Sequence, residues 1–295
     1  MRILVTGRTG QVVSSLIERA PSHGVEVIPL GRPELDLAGS ADSIVSAVEA
    51  SRPDLIVSAA AYTQVDRAES EPDAAFAINE GGPKAVAEAA RSLAVPLIHL
   101  STDYVFDGAK ASPYREDDPT NPSGVYGASK LAGEEAVLRT HEDCAILRTA
   151  WVYSPFGANF VKTMLRLAGD RSEINVVADQ CGNPTSALDI ADGILKVAAN
   201  LVGGTDHAQR GVFHMTAAGD ASWAGFAEAI FEASAAAGGA AARVNPITTA
   251  DYPTAAKRPA NSRLDCSKLA GVHGVRLPDW QGSVQQVVAR LVKGV

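Results

Sequence analysis

Met1-Arg2-Ile3-Leu4-Val5-Thr6-Gly7-Arg8-Thr9-Gly10-Gln11-Val12-Val13 decides the fold. Its first six residues form a short, mostly apolar run that predicts a strand. Gly7 and Gly10 supply a turn, and Val12, Leu16 and Ile17 then share one side of an amphipathic helix. Strand, glycine turn and helix, in that order, bring a backbone close to a pyrophosphate and aim helix N–H groups at it. An ordinary tight turn between strand and helix would use the same two glycines, so the choice rests on the chain beyond residue 20. The pattern is Gly-x-x-Gly-x-x-Val, without the third glycine of dinucleotide-binding turns. That glycine serves helix–strand packing more than phosphate contact, so Val13 predicts slightly wider packing rather than a lost site.

Further units of the same kind come next. Val25–Leu30 reads as a second strand, and Ser40 caps a helix over residues 41–50. Residues 54–58 read as a third strand, 72–93 as a long Ala-rich helix, 95–101 as a fourth strand and 144–148 as a fifth. Short apolar strands alternating with helices mean an α/β chain with a doubly wound, Rossmann-type parallel sheet covered on both faces. In such sheets the ligand lies at the carboxyl ends of the strands. Gly7 and Gly10, Ser58–Thr63 and Ser101–Tyr104 all follow strand ends and converge on one crevice.

Composition excludes several rivals. A chain of 295 residues, 46% hydrophobic and 20% charged, can bury a substantial core. Cys144, Cys181 and Cys266 are widely spaced, odd in number and without metal-ligand spacing, which predicts a reducing, cytoplasmic setting and no metal. Arg2 precedes only a short apolar run, so no signal peptide is expected, and no run of ~18 apolar residues predicts a membrane span. A net charge of −8 without a basic patch argues against nucleic acid. An anionic ligand must then be held by local groups against the global field. The Ala-rich run 233–242 reads as a helix end and loop.

The chemistry is carried by Tyr126-Gly127-Ala128-Ser129-Lys130, which puts a phenol and an ammonium four residues apart. On the helix predicted for this segment they share a face. A free tyrosine has a pKa near ~10, and lowering it by about 3 units needs roughly 4 kcal/mol from the cation and a neighbouring cofactor. Such an arrangement moves a proton onto or off an oxygen. Hydroxyls at Ser101 and Thr102 end the fourth strand and could polarise a carbonyl beside the phenol, or simply satisfy strand-end backbone groups. Trp151 follows the fifth strand, where it is either a packing tryptophan or a flat wall for a sugar ring. The second strand ends Ile28-Pro29-Leu30-Gly31-Arg32, with a guanidinium where NAD-specific sites carry a carboxylate. That favours a 2′-phosphate, hence NADPH with NADH tolerated. The other reading makes Arg32 a solvated loop residue and puts Asp36 on the adenine side.

Taken together the chain resembles the extended short-chain dehydrogenase/reductases, and within them the dTDP-4-dehydrorhamnose reductase family. The resemblance spans nearly the whole length. It rests on Gly7-Arg8-Thr9-Gly10-Gln11-Val12, Ala59-Ala60-Ala61-Tyr62-Thr63-Gln64-Val65-Asp66, Ser101-Thr102-Asp103-Tyr104-Val105-Phe106-Asp107-Gly108 and Val125-Tyr126-Gly127-Ala128-Ser129-Lys130. Downstream, Arg148-Thr149-Ala150-Trp151, Asp179-Gln180-Cys181-Gly182-Asn183 and Arg258-Pro259-Ala260-Asn261-Ser262-Arg263 match too. The resemblance implies a dinucleotide-binding domain over 1–150. It also implies a smaller substrate-binding lobe over 151–295, with some segments, such as Ile174–Val177, returning to the sheet. Tyr126 would donate a proton to the C4 oxygen of a dTDP-4-keto-6-deoxyhexose. Lys130 would bind the nicotinamide ribose and depress the phenol pKa, and Thr102 would bond the carbonyl. Gly7, Thr9, Gly10, Gln11 and Val12 would lie at the pyrophosphate, Ala59, Ala60, Ala61 and Thr63 along the adenosine, and Arg32, Asp36 and Leu37 at its ribose. Asp103, Trp151, Asn261 and Arg263, with Ser262, would meet the dTDP-sugar, and Asn79 matches the superfamily's helix asparagine. Ser58 replaces the asparagine often found before the alanines. Ser15 stands where some relatives carry a glutamate at a metal-containing dimer interface, which leaves a homodimer open. A reductase for another nucleotide-linked 4-keto-hexose, and a non-catalytic NAD(P)-binding regulator of methionine adenosyltransferase, are the alternative readings.

Overall fold

Successive side chains of a strand point to opposite faces, and here both faces are apolar. In the computed structural model, which describes residues 1–294, strand β1 (Arg2–Thr6) sends Ile3 and Val5 into one core and Leu4 into another. Strands β2 (Glu26–Leu30), β3 (Leu55–Ser58), β4 (Leu97–Thr102) and β5 (Cys144–Thr149) follow. In β3, Leu55 and Val57 join the first core and Ile56 the second. Each fully buried aliphatic side chain is worth ~1.5–3 kcal/mol, so a one-residue register slip that exchanged the two sets would be costly.

All the strands pair in parallel, and a strand over Gly211–His214 adds to β5, so the order from that edge is 211–214, β5, β4, β3, β1, β2. The order reverses between β1 and β3, which places the ligand crevice above that point. Helix α1 (Gln11–Arg19) and the helix Ala187–Gly203 cover one face. Helix α2 (Ala41–Ala50) and the helices Gly82–Leu93 and Val125–Thr140 cover the other. Ser40 caps α2 by accepting from the Ser43 N–H at 3.3 Å.

Two expectations fail. Ile174–Val177 does not return to the sheet; strand Glu173–Val177 pairs in parallel with Arg243–Ile247 in a separate two-stranded sheet. The sixth place is taken by Gly211–His214, delivered by the helix Ala187–Gly203. The long helix expected over 72–93 is also interrupted: helical turns over Pro72–Phe76 and Gly82–Leu93 flank a π turn at Ala77–Gly81. Pro83 has no N–H for the carbonyl of Asn79, so the regular ladder cannot run through.

A third core, containing Tyr153, Met164, Ile174, Phe226, Ile230, Trp280 and Val284, is built wholly from residues after 150. No helix among the described residues is long and apolar enough to cross a membrane.

Candidate active site

The turn after β1 places backbone rather than side chains at the crevice. Gly7 has φ +103°, a conformation that side chains disfavour, and its N–H donates to Leu30 O at 2.7 Å, tying β1 to β2. Val13, in the missing third-glycine position, is 2% exposed and lies close beneath Gly7: a Cβ there would sit 3.3 Å from Val13 Cγ2. Gly10 begins α1 with no side-chain cap, and the first turn carries no acidic residue. Its N–H groups and dipole therefore favour an anion. Across the crevice, Thr6 Oγ1 accepts from Ala59 N and Ala60 N, both at 2.9 Å, fixing the loop after β3 against the end of β1.

A cavity of about 660 Å³ follows these strand ends. Gly7, Thr9, Gly10, Gln11 and Val12 line its floor, and Ala59, Ala60, Ala61 and Thr63 one wall. Arg32, Asp36 and Leu37 stand at one end, Tyr126 and Lys130 at the other. Every residue expected around the cofactor thus borders one space. Arg8, which sequence reasoning left without a role, lines the same end as Arg32 and is ion-paired to Glu34. Its place inside the glycine turn was the available signal. Ser101 Oγ and Thr149 Oγ1 are buried, line this cavity and have no protein partner, so they fit a polar ligand.

Helix Val125–Thr140 brings the phenol to β4. Gly127 makes this possible, because a Cβ there would lie 2.2 Å from Tyr104 O. Tyr126 packs edge-on against Tyr104, with centroids 5.5 Å apart, and its phenol lies by the Thr102 hydroxyl. Thr102 is 6% exposed, and its hydroxyl donates to Asp103 Oδ1 at 2.8 Å. Burial pushes the Asp103 carboxyl up to about 6, although the Thr102 and Ser262 hydroxyls hold it down.

The protein groups around the phenol, taken alone, shift it upward. Burial pushes Tyr126 up to about 12, the nearby Thr102 hydroxyl pulls it back only in part, and the Asp103 charge raises it. Lys130 shares the helix face but its Nζ donates to Leu100 O at 2.7 Å, with His99 Nε2 at 3.4 Å. Burial lowers the lysine to about 8, against the pull of Glu134.

The residues expected at the sugar divide. Asp103 lies beside Thr102 and Tyr126. Trp151 has φ +46° and stacks on Trp223 with centroids 3.6 Å apart, while its Nε1 donates to Ser262 Oγ at 3.1 Å. Trp223, missed in the sequence, is the indole that lines a second cavity of about 770 Å³, along with Met164, Gln180, Tyr252 and Arg258. Neither Asn261 nor Arg263 lines the cofactor-side cavity or the Trp223 cavity. Asn261 Nδ2 donates to Lys110 O and Ser112 O at 2.6 and 2.9 Å, and its Oδ1 accepts from Arg263 Nε at 2.8 Å. Arg263 Nη2 donates to Ala111 O at 2.6 Å. These bonds staple residues 110–112, while Arg263 Nη1 lies 3.7 Å from the Asp220 carboxylate. Asn79 is likewise internal: Nδ2 donates to Tyr62 O and Ser129 Oγ, and Oδ1 accepts from Tyr62 N. Ser15 is fully buried and donates to Gln11 O at 2.8 Å.

The family model described as RmlD substrate binding domain matches residues 1–293. Over 295 residues the chain is 51% identical to the dTDP-4-dehydrorhamnose reductase of Sinorhizobium fredii, covering 100% of this chain and 99% of that one. A crystal structure of a dTDP-4-dehydrorhamnose reductase from Clostridium acetobutylicum superposes with a TM-score of 0.91 at 37% identity, over 99% of each chain. The Bacillus anthracis dTDP-4-dehydrorhamnose reductase, solved in complex with NADP, gives 0.90 at 35% identity, over 97% of this chain and 98% of that one.

Proposed function

The chain belongs to the RmlD substrate binding domain family, and on that premise we propose that it reduces the C4 keto group of dTDP-4-dehydro-6-deoxy-L-mannose to give dTDP-L-rhamnose, using NADPH. The observation that carries the reading is that Tyr126 and Lys130 line the same cavity as all the expected cofactor residues, with Thr102 at the end of β4 beside Tyr126. NADPH, when bound, supplies the hydride. The N–H groups opening α1 would hold its pyrophosphate, the Ala59–Ala61 loop would flank its adenosine, and Arg32, with Arg8 beside it, would take the 2′-phosphate.

The chain's own part in the chemistry is orientation and proton transfer. Thr102 holds the C4 carbonyl next to Tyr126, and the Tyr126 hydroxyl gives its proton to the oxygen as negative charge develops there. A phenol pushed up to about 12 is fully protonated at neutral pH, which is the state a proton donor needs. Lys130, as an ammonium, then stabilises the phenolate left behind. The second cavity, with the Trp223 indole and the Arg258 guanidinium, takes the nucleotide end of the substrate. Arg258 is itself held by Asp66 at 2.7 and 3.0 Å, so it would meet an anionic diphosphate as one half of an ion pair. Three free cysteines support a cytoplasmic location.

The test is NADPH oxidation with the dTDP-4-keto sugar supplied by an upstream dehydratase and epimerase. Turnover yielding dTDP-L-rhamnose supports the proposal. Cofactor binding without turnover across a panel of nucleotide-linked keto sugars would replace it with the regulatory reading.

A further inference from the structure

His99 lies on β4 directly behind the cavity and is fully buried, yet proton transfer from Tyr126 to the substrate does not use it. Its Nε2 is 3.4 Å from Lys130 Nζ and its Nδ1 is 3.1 Å from Ser58 Oγ on β3. Lys130 is itself 3% exposed, and its other contact is the Leu100 carbonyl at 2.7 Å. A buried ammonium needs acceptors on the protein side, and here only a carbonyl and an imidazole supply them. We propose that His99 and Ser58 are positioning residues that hold the Lys130 ammonium in place through a buried hydrogen-bond chain across β4 and β3.

The direction of each hydrogen bond follows from charge. Burial and the Lys130 charge hold the imidazole well below its ordinary pKa, so it is neutral throughout the working range. A neutral ring has one acceptor nitrogen, and an ammonium cannot accept. Nε2 therefore accepts from Lys130 and Nδ1–H donates to Ser58 Oγ, which fixes the tautomer. The groups acting on Lys130 come from three elements. Glu134 stands one turn further along the same helix and raises its pKa, and Arg148 of β5 holds Glu134 from the other side. His99 is on β4. Tyr126 shares the cavity, with Asp103 next to it. Burial has already lowered Lys130 to about 8, so the loss of one acceptor would take its charge away at the pH where the enzyme works. Ser58, in a place where relatives often carry asparagine, then acts as the acceptor for the Nδ1 proton and so keeps Nε2 free to accept.

The inference rests on the reductase reading, so its test carries a readout independent of turnover. The Cε–Nζ NMR resonances of Lys130 are titrated in the full-length wild type, His99→Asn and His99→Gln, alongside the pH dependence of NADPH oxidation. Glutamine places its amide oxygen near the position of Nε2 and keeps the lysine acceptor. Asparagine is one carbon shorter, reaches only towards Ser58 and loses it. In His99→Asn the lysine should lose about tenfold in proton affinity, as for a hydrogen bond to a charged group at the weak end of the range, and the alkaline limb of kcat/KM should move down in pH with it. His99→Gln should stay close to wild type in both readouts. An unchanged lysine titration in His99→Asn, or equal changes in the two variants, overturns the proposal. If neither variant folds, Ser58→Ala decides: a few-fold loss of proton affinity in the same direction supports the chain, and no change refutes it. A wild type that binds NADPH and reduces no keto sugar refutes the reductase reading, while the lysine titration still decides the role of His99.

Discussion

Replacing Tyr126 with phenylalanine removes one hydroxyl and keeps the ring that packs against Tyr104, so it isolates the proton transfer. Burial pushes this phenol up to about 12, roughly 2 units above its ordinary value, which disfavours the phenolate by ~3 kcal/mol. At pH 7 the group is about 5 units below its pKa, so the unionised acid is the only populated form. Keto reduction consumes that proton, and the raised pKa leaves the donor fully loaded. The reverse oxidation needs the phenolate first and carries about 7 kcal/mol at pH 7 before Lys130 and the cofactor charge offset any of it. In Tyr126→Phe, kcat for reduction should fall ~10²–10⁴-fold, with NADPH affinity within about twofold of wild type. Between neutrality and pH 10 the limiting ionisation should be that of Lys130, near 8, and not that of the phenol. Stopped-flow NADPH oxidation from pH 6 to 10, with fluorescence titration of the cofactor, measures both. The alkaline limb near 8 should flatten in the residual activity of Tyr126→Phe, because no phenolate is left for the Lys130 ammonium to stabilise. An alkaline limb unchanged in that variant, or more than a tenth of wild-type kcat, would refute the reasoning.

Asp103 is raised to about 6 in the folded chain against ~3.9 unfolded, so its protonated form contributes stability below about pH 4 that is lost as pH rises through 6. Asp103→Asn should therefore be more stable than wild type by up to ~3 kcal/mol at pH 8 and equal to it near pH 3, while losing activity; equal urea midpoints at both pH values would contradict this. Arg148 grips Glu134 through contacts of 2.7–3.2 Å with both side chains 5% exposed or less, so Arg148→Met should cost ~3–5 kcal/mol, and adding Glu134→Leu should restore most of it. Equal melting temperatures for the single and double variants would contradict that account. Arg32→Ala should raise KM for NADPH several-fold and leave NADH unchanged in initial-rate assays, and an equal effect on both cofactors would remove Arg32 from the 2′-phosphate.

The sheet was legible because β1, β3, β4 and β5 are short apolar runs whose alternate residues serve two cores, a property of each segment alone. The cofactor turn was legible because Gly7 and Gly10 act through backbone geometry that only glycine supplies readily. What failed depended on partners distant in sequence. Ile174–Val177 and Val212–Phe213 are equally apolar, and the crossover helix Ala187–Gly203 decides which of the two segments reaches β5. The π turn was marked by Pro83, but the alanine-rich surroundings outweighed it in a reading of propensity. Asn261 and Arg263 belong to a recognisable motif, yet their bonds to the carbonyls of residues 110–112 depend on a loop about 150 residues earlier in the chain. The protein's own push on the Tyr126 pKa was not legible either: sequence shows that a lysine is near but not how the surrounding chain desolvates the phenol.

Adding Gly211–His214 to β5 also governs how the chain can be cut. The residues that complete the sheet, and those of Ala187–Gly203 that cover α1, arrive after the chain has built Phe160–Asp170 and Glu173–Val177 elsewhere. A fragment ending near residue 150 would expose β5 as a bare edge, with Ala145 and Leu147 on one side and Ile146 on the other. Unpaired edges of that kind template association with other chains. Synthesis must therefore pass through an interval in which a nearly finished sheet waits, sticky along one side, for a strand that is about sixty residues away, and a chaperone that shields β5 would act in that interval.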